Sequence, residues 1–408
     1  MPKSEIDHDL IEKLYQGLEE VSRERIEQVV REIVKVKEKG GKFVVVTGSG
    51  PNIHEGVTTL IAELIRKKIV DGVITSSAVI AHEMAGSLDK VKRVKGEKLG
   101  IYEDILPRGG IFEVTVMDGE TLEQIRREMV VDLELIEKVL RLEGDVIIKA
   151  AGNMAYPMGL RTERIAREVE SIARLIGRPF EYVAGLGADE RTMIGAGARE
   201  NVPVIVSTTQ LVGGGMVGLC IGDSISLKQR SAAVADILSG ADIIIESGVA
   251  LTQEIHDGPF ETYTGHGIWS AWEGVKTFSL KDKTLVRIDL DPNLEKAWQM
   301  ERKSRSVQEA INKGLPKTKF LKVPFRMEMS GFARLEKSIP IREDLGVVWP
   351  ILAFKVSEKL GVSLDFISYP QETPAGKKMR EWIVNDIKIL NREVMYKRVK
   401  EIQEGLIG

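Results

Sequence analysis

Lys42–Ser77 reads KFVVVTGSGPNIHEGVTTLIAELIRKKIVDGVITSS. Lys42–Thr47 is a short continuous apolar run, the pattern of a parallel strand buried on both faces. A glycine-bearing loop, Gly48–Gly56, follows, and Val57–Lys68 repeats apolar residues at helical spacing. Val70–Thr75 is a second strand-like run, and Ser76-Ser77-Ala78 opens another helix. Strand, loop, helix, strand, loop, helix is the rhythm of a parallel α/β sheet.

The rhythm continues outward. Asp145–Lys149 (DVIIK), Val202–Ser207 (VPVIVS), Asp242–Glu246 (DIIIE) and Thr284–Asp289 (TLVRID) read as further strands. Helical spacing marks Glu163–Ile176, part of Leu186–Glu200, Ser226–Leu238 and a segment from Asn293. Upstream, residues 5–39 read as one helix that Gly40-Gly41 ends, so residues 1–41 are expected as an N-terminal helix. Residues 90–120 are glycine-rich and are expected as an insertion with short strands. Residues 42–314 then form a Rossmann-like domain. Residues 315–408, with helices near 346–360 and 377–406, are expected as a C-terminal helical subdomain. The expected fold is α/β: a mainly parallel, Rossmann-like sheet with helices on both faces.

The 408 residues carry 58 basic and 61 acidic side chains, a net charge of −3, which shows none of the basic excess of a nucleic-acid binder. A single cysteine, Cys220, excludes an intramolecular disulfide or a cysteine-built metal cluster within one chain. Its apolar setting, GLCIG, marks a buried structural thiol rather than a nucleophile. No apolar run reaches the roughly 18 residues of a bilayer span, and the charged N-terminus lacks a signal-peptide apolar region. A cytoplasmic protein acting on a small molecule, without nucleic-acid or membrane partners, is the expectation.

Five segments carry enough polar or glycine residues to hold a ligand. In Gly48–Gly56, glycines Gly48 and Gly50 allow close approach, and Ser49, Asn52, His54 and Glu55 supply more polar groups than a plain turn needs. The spacing is neither G-x-G-x-x-G nor a Walker A loop. Thr75, Ser76 and Ser77 close the second strand, where hydroxyls cap a helix or meet a phosphate or ribose. His82 and Glu83 follow within two turns; His82 reads equally as a satisfied surface or interface side chain. Gly213, Gly214 and Gly215 lie beyond the strand 202–207, so something approaches that backbone closely. The densest segment runs from Glu246-Ser247-Gly248 through His256, Asp257 and His266 to Lys276. Its spacing matches no metal motif, and His256 and His266 read as acid–base candidates with no metal. Asp289 and Asp291 end the strand 284–289, placed for ribose hydroxyls or for capping the next helix.

Val44–Glu83 resembles the opening of the deoxyhypusine synthase-like superfamily. It also resembles the NAD-binding domain of the archaeal and cyanobacterial ornithine cyclodeaminases related to the LOR/SDH proteins. The shared phrases are the strand and Gly-x-Gly-Pro loop, Leu64-Ile65 with Val70-Asp71, Asn201-Val-Pro-Val, and Gly240-Ala-Asp242. This resemblance covers roughly 42–310. It implies a Rossmann-like domain with tightly held NAD, contacted by Ser49, Asn52, Thr75, Ser76, Ser77 and residues around Gly213, Gly248 and Asp289. In deoxyhypusine synthases a lysine in a Ser-Trp-Gly-Lys phrase forms the imine intermediate. The nearest phrase here is Ser270-Ala-Trp272-Glu273-Gly274-Val-Lys276, whose lysine falls two residues later. A homo-oligomer is implied as well.

The resulting expectation is an NAD-dependent enzyme acting on a small amine or amino acid, with Lys276, His266, His256 and Glu83 as catalytic candidates. Two other readings stand beside it. One is a lyase or transferase that holds a phosphorylated ligand in the same loops without NAD. The other is a ligand-sensing protein without turnover.

Overall fold

The computed structural model describes residues 6–48, 50–107, 109–248, 280–315 and 335–405, with 261–262, 277–278 and Phe332. The main sheet has six strands: β1 (Phe43–Thr47), β2 (Gly72–Thr75), β6 (Val204–Val206), β7 (Ile243–Ser247), β10 (Thr284–Ile288) and β11 (Ser338–Ile341). Their spatial order is β11-β10-β7-β1-β2-β6, and every neighbouring pair is parallel. Taken in chain order this is the 3-2-1-4-5-6 arrangement of a doubly wound sheet, with its topological switch between β1 and β7.

The strands form where β-branched residues run without interruption, because both faces are covered. On one face Val45, Val73, Ile245 and Ile288 pack with helices α2 (Glu20–Glu38) and α4 (Val57–Arg66). On the other, Val44, Val46, Ile74, Ile244 and Leu285 pack with α12 (Leu227–Gly240) and α13 (Pro292–Lys303). At ~25 cal/mol per Å² of apolar surface, these two layers are the main stabilising contribution.

The crossover from β2 to β6 carries a second layer. Helix α5 (Ser77–Met84) leads into β3 (Leu88–Lys95), β4 (Ile111–Thr115) and β5 (Asp145–Ala150), an antiparallel sheet ordered β4-β3-β5. Helices α6 (Gly119–Glu128), α7 (Leu133–Arg141), α8 (Met158–Ile176), α9 (Phe180–Gly187) and α10 (Met193–Glu200) complete it. The run DVIIK, read as a strand of the parallel sheet, thus belongs to a different sheet. A short apolar run does not distinguish parallel from antiparallel pairing. Short β8 (Glu261–Thr262) and β9 (Thr277–Phe278) pair as a two-stranded ribbon.

Two further expectations differ. The N-terminal helix is two helices, α1 (His8–Gln16) and α2, broken at Gly17. Leu18 turns into the core there, and Arg23 Nη1 donates to the Gln16 and Leu18 carbonyls. The C-terminal residues are not helical throughout: Ser338–Ile341 is the edge strand of the main sheet. Helix α15 (Leu345–Leu360) then buries Val348, Trp349, Ile351 and Leu352 in the core shared with α2. The last segment is two helices, α16 (Pro374–Asp386) and α17 (Arg392–Gln403). Earlier in the chain, α11 (Met216–Ser224) follows β6 and α14 (Arg305–Asn312) follows α13.

Candidate functional site

In a doubly wound sheet, ligands bind beyond the carboxyl ends of the strands at the switch point. Gly48 and Gly248 face each other there, as the residues next after the paired ends Thr47 and Ser247. The Gly48 amide donates to the Ser247 carbonyl at 3.3 Å, and Gly248 sits at φ +87°, a conformation only glycine takes easily. The chain then forms the short helix α3 (Gly50–His54), and a Cβ placed on Gly50 would meet nothing within 4 Å.

Asn52 does not offer its side chain to a ligand. It is buried; its Nδ2 donates to the Ser247 carbonyl at 3.1 Å, and its Oδ1 accepts from Ser247 Oγ at 2.6 Å. Trp349 Nε1 donates to the same hydroxyl at 2.8 Å. The expected cofactor contact is instead the bond that ties the β1 loop to β7.

At the end of β2, Ser76 caps α5 by accepting from the Val79 amide at 3.3 Å. Ser77 Oγ donates to the Gln210 carbonyl and accepts from the Gly214 amide, both at 2.8 Å. A Cβ on Gly214 would lie 2.7 Å from the Ser77 carbonyl carbon and oxygen. The close approach expected of the Gly213–Gly215 loop is therefore made by α5. Gly213 and Gly215 keep open space around them, within 4 Å only Ser77 Oγ at 3.9 Å from a Cβ on Gly213. Thr75 differs from its neighbours: its Oγ1 is buried and has no hydrogen-bond partner among the described residues.

Asp289 Oδ1 accepts from the Asp291 amide at 3.0 Å, and Asp291 Oδ1 caps α13 through the Asn293 amide at 2.9 Å. Glu83 is buried, with its two carboxyl oxygens accepting from the Met193 and Ile194 amides at 2.8 and 3.0 Å. It closes the N-terminus of α10, and burial pushes its carboxyl up to about 7. A carboxylate so enclosed is a structural cap, not the acid or base expected of it. Ser49, His256, His266 and Lys276 lie outside the described residues. Cys220 is buried, and its thiol is pushed up to about 11 by burial first and then by Glu170. Among the described residues there is no cluster of three or more metal-ligating side chains, and no helix is long and apolar enough to cross a membrane.

The structure also gathers a group that sequence spacing did not join. His54 on α3, His82 on α5, Lys149 on β5 and Arg380 on α16 meet where the antiparallel sheet rests on the main sheet's ligand-binding end. His54 is held below the ordinary imidazole range by burial, then by Arg380, His82 and Lys149. His82 is lowered by burial and by Lys149, against the raising effect of its bond to Ala151. The sequence signal was the richness in polar residues of Gly48–Gly56 and of the turns after Ser77; Lys149 and Arg380 are too distant along the chain for spacing to link them.

No protein-family model matches the chain, and no curated protein matches it. Similar solved structures include ArgZ, an arginine dihydrolase from the ornithine–ammonia cycle in cyanobacteria, with 12% identity and a TM-score of 0.39 over 84% of this chain and 32% of that one. AgrE in ternary complex with ornithine and NAD+ gives 15% identity and a TM-score of 0.38 over 85% of this chain and 34% of that one. A conserved LOR/SDH protein from Methanococcus maripaludis S2 gives 9% identity and a TM-score of 0.37 over 88% of this chain and 70% of that one. The chain spans about a third of the length of the ArgZ and AgrE structures.

Proposed function

We propose that the chain is an enzyme that holds a nicotinamide dinucleotide across the carboxyl ends of β1, β2, β6 and β7 and acts on a small amine or amino acid. The observation that carries this reading is the switch point between β1 and β7, where a glycine follows each strand, Gly48 and Gly248. The donor set suits such a ligand. Bare strand ends admit a flat or phosphorylated group, and Thr75 Oγ1 is a buried hydroxyl awaiting a partner. Gly48, Gly50, Thr75, Gly213, Gly215, Gly248 and Asp289 are the residues that would hold it.

A dinucleotide held by these residues would supply a hydride acceptor for the carbon bearing the amine, the chemistry of deoxyhypusine synthase-like or ornithine cyclodeaminase-like enzymes. The protein's own part is to orient both ligands and move protons. Asn52, Ser76, Ser77 and Glu83 fix the loops and helices that do the orienting. Lys276, His256 and His266 keep the roles of imine-forming lysine and acid–base groups in this reading. The chain works as a homo-oligomer in the same reading, which light scattering on the purified protein tests. The binding claim is tested by adding NAD to the purified protein and following its melting temperature, which rises if the dinucleotide binds the native state.

A further inference from the structure

His54 ends α3, the helix that leaves the β1 loop, and His82 lies on α5, which leaves the β2 loop. His82 meets Ala151, the residue next after β5, and Arg380 ties His54 to β5. Arg380 Nη2 donates to the Ile148 carbonyl at 2.6 Å and lies 3.4 Å from His54 Nδ1. A guanidinium only donates, so Nδ1 is the acceptor in that contact, and the proton of the neutral His54 ring is on Nε2. His82 Nδ1 lies 2.6 Å from the Ala151 carbonyl. A carbonyl only accepts, so His82 Nδ1 carries the proton, and in the neutral ring Nε2 is the lone pair. The shifts described above keep both rings neutral near pH 7. One ring therefore presents an N–H and the other a base.

The cations around them share their carboxyls: Glu381, near Arg380, pairs with Lys90 at 2.6 Å, and Asp89, near Lys149, is pushed up to about 7 by burial. Lys149 Nζ is 2.7 Å from Glu113, but Glu113 also pairs with Arg93 at 3.1 Å. Glu55, near Arg380, accepts from the Gln371 amide at 2.7 Å and is pushed up to about 7 by burial. Arg380 Nε is buried with no partner among the described residues, a donor left over after its bonds to β5 and His54.

We infer that His54 and His82 are a hydrogen-bond donor and a proton-accepting base, of opposite tautomers, for a carboxylate-bearing substrate whose carboxylate lies against Arg380 and Lys149. His82 Nε2 takes a proton from the substrate's ammonium or hydroxyl group and becomes an imidazolium; the bond broken is that N–H or O–H, and no electrons are transferred. His54 Nε2–H donates a hydrogen bond to the substrate and keeps its proton. The catalytic role rests on the function proposed above; the tautomers and the carboxylate site do not.

Nitrogen-15 ring spectra of the full chain test this. Five histidines are present, so His54→Gln and His82→Gln assign the two signals. The expected result at pH 7 is a neutral Nε2–H ring for His54 and a neutral Nδ1–H ring for His82. The same tautomer in both, or imidazolium in either, overturns the pair. Acetate serves as the carboxylate probe and methylammonium as its control. Acetate is expected to shift both rings and methylammonium neither; no response to acetate overturns the carboxylate assignment. Arg380→Gln is expected to abolish the acetate response and let His54 populate both tautomers. Arg380→Lys, which keeps a charge and a donor, is expected to retain part of that response. An unchanged acetate response in either folded variant overturns the role of Arg380. Melting with NAD on the same samples reports on the dinucleotide separately, so its failure is distinguishable from failure of the pair.

Discussion

Asn52 and Ser247 bind each other through both polar ends across the gap between β1 and β7, Nδ2 to carbonyl at 3.1 Å and Oγ to Oδ1 at 2.6 Å. The pair closes the floor of the switch point, and the indole of Trp349 buttresses it. Replacing Asn52 by Ala leaves the Ser247 carbonyl without its side-chain donor in a buried place. Asn52→Ala is expected to cost about 1–3 kcal/mol of stability by denaturant titration. Any loss of ligand affinity then follows from the loosened loop. An unchanged denaturation midpoint contradicts the structural role.

Neighbouring glycines in the loop after β6 should respond differently. Gly214→Ala places a methyl 2.7 Å from the Ser77 carbonyl group, whereas the nearest atom for Gly213→Ala is Ser77 Oγ at 3.9 Å. Gly214→Ala is expected to destabilise by about 1–3 kcal/mol, and Gly213→Ala by less than about 0.5 kcal/mol. Equal effects in thermal denaturation would remove α5 as the reason for the glycine.

Thr75→Val tests the unpartnered hydroxyl. The substitution removes a buried group that bonds nothing. The protein without ligand is expected to be as stable as wild type or more stable by up to about 1 kcal/mol. The dinucleotide affinity is expected to fall about 5- to 10-fold in calorimetry, the equivalent of one hydrogen bond. Unaltered affinity means the hydroxyl faces no ligand.

Three buried carboxyls, Glu55, Glu83 and Asp89, are each raised to about 7, by burial first in every case. A raised carboxyl favours its protonated form in the fold. Its contribution is complete below the unfolded value and is lost as pH rises through about 7. Stability is therefore expected to fall between pH 5 and 7, by up to about 1.4 kcal/mol per pH unit for each group. Asp89→Asn keeps an acceptor for the Gly152 amide, which lies 2.8 Å from Oδ2, and is expected to flatten that slope. A slope that Asp89→Asn leaves unchanged rules Asp89 out as a source.

The central strands were legible because a strand buried on both faces is written as a short run rich in β-branched residues, as in FVVVT, IIIES and TLVRI. SIPI was not, since four residues with a proline on an edge strand carry little pattern. The site was legible in its loops but not in its roles. Three glycines announce that backbone must pass close to something, and only the fold shows that Ser77 is what Gly214 meets. Glu83 beside His82 looks like chemistry in sequence; its partners Met193 and Ile194 lie on another helix. The histidine pair depends on the Ala151 carbonyl just after β5, the Ile148 carbonyl within it, and Arg380, contacts made by tertiary packing alone.

The most direct test of the central claim is mass spectrometry of the small molecules released when the purified chain is denatured, paired with a melting curve in added NAD. The proposed function predicts NAD among the released molecules, or a melting temperature that rises with NAD concentration. No NAD released and no shift at saturating NAD would contradict it. A shift with a phosphorylated metabolite instead would assign the Gly48 and Gly248 strand ends to a ligand that is not a dinucleotide.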